Sequence, residues 1–392
     1  MGIRTEWQHI QYEETSAFTE TYGFSGNQGA VNLEGILIRP ATPARTLLIF
    51  MHPASTLQLL PVPRAAAVTG SHVLCAASRY AKNDTALILE KVLLDLGAWI
   101  RHAKETLGYA KVALIGWSGG GSLALMYQAE AEQPTITHTP ADDPVDIAGA
   151  RLIPADAIVF QAAHLSRGHL LLETIDPSVT DELNPDERDT SLDLYDPANP
   201  NQPPYSQEYI QRYRRAQLER MRRITGTAKQ TLERLKARNT GELERGFIVH
   251  RTLADPRFLD PALEPNDRKP GWCYLGNPET VNTGPVGLAR FTTLRSWLSQ
   301  WSIDDSSGNG IANAARMKAP LLVIENSADD AVPQTHPRTA YEAAASPDKT
   351  FRVIEGATHY YAGQPELLAQ ATALIQDWLA ERGMPTTKET RP

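Results

Sequence analysis

Short apolar runs recur along this chain and set its rhythm. Residues 46–51 (TLLIFM), 73–77 (VLCAA), 112–115 (VALI), 157–163 (AIVFQAA), 320–324 (PLLVI) and 351–354 (FRVI) are largely apolar and too short for helices. They predict strands buried on both faces, as in a parallel sheet covered by helices. Ahead of them, residues 9–40 alternate polar and apolar in two blocks. The second block, 31–38, ends at Pro40. Such alternation predicts antiparallel edge strands. Helical spacing of apolar positions appears between the runs. It covers 85–107, with Asp84 or Thr85 as N-cap, then 122–130, 338–345 and an amphipathic stretch at 367–382. The tail after Gly383 is expected to be loose.

The rhythm stops between residues 165 and 313, where no clear buried strand can be read. An acidic, proline-punctuated segment (176–204) precedes an Arg-rich helical stretch (207–237), and an aromatic stretch follows from 272 to 301. Gly226 is expected to split or kink the Arg-rich helix. Its arginines read as a solvated face opposite the acidic segment rather than as a polyanion-binding surface. The expected division is a core domain of residues 1–164 and 314–392, interrupted by a largely helical lid, 165–313.

One apolar run ends unlike the others. Residues 111–121 read KVALIGWSGGG, a strand passing at once into a helix of small residues through G-x-S-x-G. A serine hydroxyl attacks well only when held clear of the backbone, beside a base and in front of amide donors. A strand-to-helix turn tight enough to do this strains the serine and leaves room only for glycine two positions either side. Ser118 is therefore the candidate nucleophile. The N–H of Gly119, at the positive end of a helix, is a candidate oxyanion donor.

Serine attack needs a base, and the base needs an orienting carboxylate. In a parallel sheet such groups gather where strands end. Glu325, Asp329 and Asp330 follow one late run, and Glu355 and His359 follow the next. His336, in a His-Pro pair at a helix start, reads as structural. Beyond residues 157–163 comes His164 with no nearby carboxylate, which disfavours an acid from that position.

GWSGG, ENSADDAVP and IEGATHYYAG together resemble the α/β-hydrolase family, over roughly residues 31–164 and 319–379. The resemblance implies a mostly parallel α/β-hydrolase sheet flanked by helices, with a helical lid insertion. It aligns G-x-x-D-x-x-V-P with Asn326, Asp329, Val332 and Pro333, which selects Asp329 over Asp330 and puts Asn326 where glycine is usual. The implied triad is Ser118, Asp329 and His359. Family members usually carry His-Gly after the strand at 46–51. This chain has His52-Pro53, and proline lacks an N–H, so Ala54 is the expected second oxyanion donor, with His52 bracing the loop. Arg79, Tyr80, Asn83 and Asp84 either border the site or tie their loop to the core.

A serine at the elbow argues against the dehalogenases and epoxide hydrolases of the family, which use a carboxylate there. The implied activity is hydrolysis of a carboxylic ester or lactone through an acyl-serine. An amidase or peptidase, a C–C bond hydrolase, an acyltransferase and a silent hydrophobic-ligand binder are the alternatives. Trp117 at the elbow, with Trp272, Tyr274, Trp297 and Trp301, are the candidate substrate-binding residues; Phe291 belongs to the same aromatic group. Some should line a pocket for a moderately large hydrophobic ester, and the i, i+4 pair Trp297 and Trp301 should put at least one ring into the lid's own packing.

Composition then narrows the setting. With 392 residues and 42% hydrophobic content the chain can build a substantial core. A net charge of −8 makes nucleic acid or an acidic membrane an unexpected partner. Cys75 and Cys273 form neither a disulfide framework nor a metal spacing, and no metal or organic cofactor is expected. The N-terminus has no apolar signal core, Glu6 breaks the myristoylation pattern, and no apolar run reaches spanning length. The expectation is a soluble cytoplasmic protein, with a homodimer left open.

Overall fold

Every apolar run becomes a strand. The computed structural model describes residues 2–14, 30–238 and 240–386, so residues 15–29 of the alternating region and the tail from 387 lie outside the described residues. The strands are β1 (Ile3–Glu13), β2 (Ala30–Pro40), β3 (Thr46–Met51), β4 (His72–Ala76), β5 (Lys111–Ser118), β6 (Ala157–Ala163) and, after the insertion, β9 (Leu321–Asn326) and β10 (Lys349–Ile354). They form one eight-stranded sheet in the order β1-β2-β4-β3-β5-β6-β9-β10. β2 pairs antiparallel with both β1 and β4, and every other pairing is parallel.

Burial follows the period of two that a strand imposes. Leu47, Ile49 and Met51 of β3 enter the core on one face, with Val92, Leu96 and Trp99 of α2 (Leu89–Arg101) and Leu123 and Met126 of α3 (Gly119–Glu132). Leu48 and Phe50 enter the core on the other, with Val62 and Ala66 of α1 (Pro61–Val68) and Ile375 and Trp378 of the helix Pro365–Ala380. Both faces are covered, so the central strands have no polar side and read as continuous apolar runs.

The α2 helix starts later than its apolar spacing suggests. Its N-cap is Ile88, which makes no side-chain capping bond. Asp84 and Thr85 are both engaged elsewhere, since the Asp84 carboxylate binds Arg167 and the Thr85 carbonyl accepts the Thr293 N–H. Ser299 of the insertion takes the first helical N–H instead, with Leu89 N donating to its Oγ at 2.8 Å. A contact more than two hundred residues away in sequence thus sets a helix boundary.

Between β6 and β9 the chain leaves the sheet. It forms α4 (Arg167–Thr174), the long α5 (Gln207–Arg238) and a two-stranded antiparallel ribbon, β7 (Gly246–Ile248) with β8 (Phe291–Thr293), which the apolar pattern does not predict. α5 runs unbroken through Gly226. Its stripe of Met221, Ile224, Ala228, Leu232 and Leu235 shares one apolar cluster with Leu171, Trp297 and Leu298, which holds the helix together on both sides of the glycine. Four of its arginines pair with acids: Arg212 with Asp189, Arg214 with Asp255, Arg220 with Glu182 and Arg222 with Asp304. Two of these acids, Glu182 and Asp189, lie in the acidic segment.

Candidate active site

β5 delivers Ser118 to a point where the backbone is strained. Its φ of 54° and ψ of −125° lie in a region that favours glycine, and α3 begins at the next residue. Such a conformation costs on the order of 1–3 kcal/mol and persists only when its surroundings enforce it. The enforcement is visible at two glycines. A Cβ on Gly116 would lie 2.5 Å from the Gly121 Cα, and one on Gly120 would lie 2.4 Å from the Met51 carbonyl oxygen. Strand, turn and helix therefore press together as the G-x-S-x-G spacing requires. Gly119 follows as the first residue of α3, where backbone N–H groups have no intrahelical partner.

Asp329 and His359 arrive from neighbouring strand ends, just past β9 and β10. Asp329 Oδ1 accepts the N–H groups of Ala331 and Val332, both at 2.8 Å. Its Oδ2 lies 3.0 Å from His359 Nδ1, and both residues are buried. The Asp330 carboxylate meets His359 at its backbone N–H, not at its ring. One of its oxygens is buried without a partner, and burial together with Asp329 pushes its pKa up. Glu325 pairs with Arg338, while His336 accepts the Leu165 N–H and meets Glu173 with its other nitrogen. Asn326, the departure from the family glycine, donates to the Thr358 carbonyl at 2.9 Å and accepts from Tyr361 at 2.8 Å. It holds the turn that carries His359. Trp117 does so too, through an indole N–H to the His359 carbonyl at 3.2 Å and a ring 4.5 Å from the imidazole.

Ser118 and His359 line one cavity of about 340 Å³. They are not hydrogen-bonded to each other among the described residues, the looser arrangement often found for such pairs without substrate. Of the aromatic side chains expected to bind substrate, Trp117, Tyr274 and Trp301 line this cavity. Trp272 and Trp297 do not. Trp272 lies on the surface with Lys269 over its ring, and Trp297 is wholly buried against α5, donating to Thr225 at 2.8 Å. Phe291 is exposed on β8. The insertion needs a core of its own, and Trp297 supplies it.

The N–H of the second expected oxyanion donor has a partner. The Ala54 N–H is engaged by His52 Nδ1 at 3.1 Å, and the Ser55 N–H donates to the same nitrogen at 2.9 Å. Two donors on Nδ1 leave the imidazole proton on Nε2. That edge faces the elbow, since a Cβ on Gly119 would lie 2.6 Å from His52 Nε2. Burial, then the Arg167 charge and His359, lower the His52 pKa to about 3, so the ring is neutral. His52 braces this loop through Nδ1, while the direction of its free N–H has no signal in the sequence. The loop at 79–84 is divided between core and site. Arg79 is drawn inward to Asp95, Glu14 and Tyr12, while Asp84 borders the cavity.

Among the described residues no group of three or more His, Cys, Asp or Glu side chains is placed to hold a metal ion. Cys75 and Cys273 are buried and free. No described helix is long and apolar enough to cross a membrane.

Neither a family model nor a curated protein matches this sequence. Solved structures do. DcsB, determined with its substrate analogue, is 12% identical, with 96% of this chain and 99% of that chain covered and a TM-score of 0.51. The α/β hydrolase GrgF of Penicillium sp. sh18 is 11% identical over 96% and 99%, with a TM-score of 0.49. A monoacylglycerol lipase of Paleococcus ferrophilus is 16% identical over 89% and 98%, with a TM-score of 0.45. Likeness at this level concerns fold alone, here a mostly parallel sheet with an antiparallel β2 and helices on both faces. The chain has the α/β-hydrolase fold.

Proposed function

We propose that this chain is a serine hydrolase acting on a carboxylic ester or lactone of a hydrophobic substrate. The observation that carries the reading is the buried Asp329–His359 hydrogen bond of 3.0 Å, with that histidine and the strained Ser118 lining one cavity. Ser118 Oγ attacks the acyl carbon while His359 Nε2 takes its proton. Asp329 holds the imidazole by its Nδ1–H and stabilises the imidazolium. The tetrahedral oxyanion is received by the Gly119 N–H and, from the opposite wall, by the His52 Nε2–H. The intermediate then collapses, His359 protonates the departing alcohol, and water releases the acid from Ser118 by the same steps in reverse. Residues 165–313 act as a lid in this reading. Leu170, Leu288 and Trp301 from that segment, together with Trp117, give the cavity an apolar wall that favours a hydrophobic substrate.

A fluorophosphonate probe tests the reading directly. It is expected to modify Ser118 and abolish turnover of p-nitrophenyl esters and lactones; a protein that neither labels nor turns them over is not such an enzyme. His52→Asn tests the second donor. Asparagine keeps an acceptor for the Ala54 and Ser55 N–H groups, but its NH₂ stands where Cδ2 was and stops short of the Nε2 position. We expect kcat to fall by about 10²–10³, the effect of losing one oxyanion donor, with Tm retained. Unchanged kcat would place the second donor elsewhere.

A further inference from the structure

We propose that the cavity binds a substrate bearing a free carboxylate, held by Arg167, so that the natural ester or lactone is apolar in its body and anionic at one end. This rests on the reading of the site as an ester hydrolase and goes beyond it by naming a substrate class.

Arg167 is the first residue of α4, buried to 7% exposure, on the wall of the cavity that also contains Ser118 and His359. Its guanidinium lies over the Trp301 ring, 4.2 Å from the centroid. Among the described residues its one hydrogen-bond partner is the Asp84 carboxylate, taken by Nη2, and Nε is buried with none. A guanidinium has five donors, and leaving a buried one such as Nε unpaired is costly. Two other buried arginines of the insertion are bound more fully, while Arg290 shares the unpartnered Nε but spends its other donors on the Val249 and Asn282 carbonyls. Arg220 gives two bonds to Glu182 and others to the carbonyls of Asp176, His250 and Arg251. Arg257 is likewise bound by Asp255 and Glu173. A salt bridge that only fastened the insertion to the sheet would not place its cation on the cavity wall with one acid for a partner.

Other groups on the wall agree. The charges there besides Arg167 are Asp84, with a side chain 39% exposed, and the exposed Lys82. His164 is buried on the same wall with Nδ1 unpartnered. Burial first lowers both His52 and His164, with the positive field of Arg167 a lesser cause at each and His336 ahead of it at His164. A bound carboxylate completes the guanidinium's bonding and relieves that field. Tyr274 and Tyr360 add phenol groups to the same lining.

The test uses paired p-nitrophenyl esters of equal chain length, one ending in methyl and the other in carboxylate: hexanoate against the mono ester of adipate. Wild type is expected to favour the carboxylate ester in kcat/KM by roughly 10- to 100-fold. Arg167→Gln should bring the ratio close to one, and Arg167→Lys should restore part of it. Asp84→Asn removes the competing acid and should raise the ratio, whereas in a purely structural salt bridge it would weaken the enzyme as Arg167→Gln does and leave the ratio alone. A wild-type ratio near or below one, or a ratio indifferent to Arg167, overturns the proposal. Adipate binding, followed by tryptophan fluorescence, separates this failure from that of the hydrolase reading. If neither ester is turned over, binding to wild type that Arg167→Gln abolishes still supports the carboxylate site, and equal or absent binding overturns it.

Discussion

Replacing Ser118 by alanine is expected to lower kcat by roughly 10⁶-fold, because a nucleophile and its base act as a unit and the remainder cannot partly compensate. Stability should be retained. The Ser118 side chain makes no hydrogen bond among the described residues, and the strained backbone is imposed by Gly116, Gly120 and the Met51 carbonyl, which the substitution leaves in place. Steady-state turnover of a p-nitrophenyl ester, beside thermal unfolding of both proteins, reads the two halves of this expectation. Residual activity within about 100-fold of wild type, far above the background left when a triad member is lost, would exclude Ser118 as nucleophile.

Asp329→Asn should cost about 10⁴ in kcat, and the geometry says why. Oδ1 of Asp329 is fixed by two backbone N–H groups, from Ala331 and Val332. An asparagine must keep its carbonyl oxygen there, which turns its NH₂ toward His359 Nδ1. A donor facing Nδ1 forces the imidazole proton onto Nε2, the atom that must accept the serine proton, so the base is lost without any change of shape. Asp330→Asn, one residue along, should change kcat by less than about tenfold, since the Asp330 carboxylate meets the backbone N–H of His359 and not Nδ1, and an asparagine oxygen can keep that contact. Comparable losses in the two variants would mean that the orienting acid has been misassigned.

The departures from expectation share one cause. Asp84 reads as a helix cap because acids often stand at such positions, yet Arg167, more than eighty residues later, captures it. Trp272 and Trp297 read as pocket residues because aromatic density outside a sheet suggests a pocket, yet an insertion of this size needs a hydrophobic core and takes Trp297 for it. Ala54 reads as a donor because its N–H follows a proline, yet an imidazole two residues back already accepts that N–H. In each case the competing partner is distant, or its orientation is a matter of ångströms, and neither appears in a local pattern.

What the chain determined by itself is whatever depends on neighbours in sequence. Burial on both faces makes a strand uniformly apolar, a tight strand-to-helix turn admits only glycine around Ser118, and the polar residues waiting at strand ends follow from the order of the strands. Those regularities sufficed for the sheet and the elbow. Tertiary structure alone decided where the freed edge of His52 points, which aromatic rings reach the cavity, and that a buried, half-partnered Arg167 stands on the cavity wall beside Asp84. Those outcomes are competitions among side chains brought together from across the chain, settled by distance and hydrogen-bond direction.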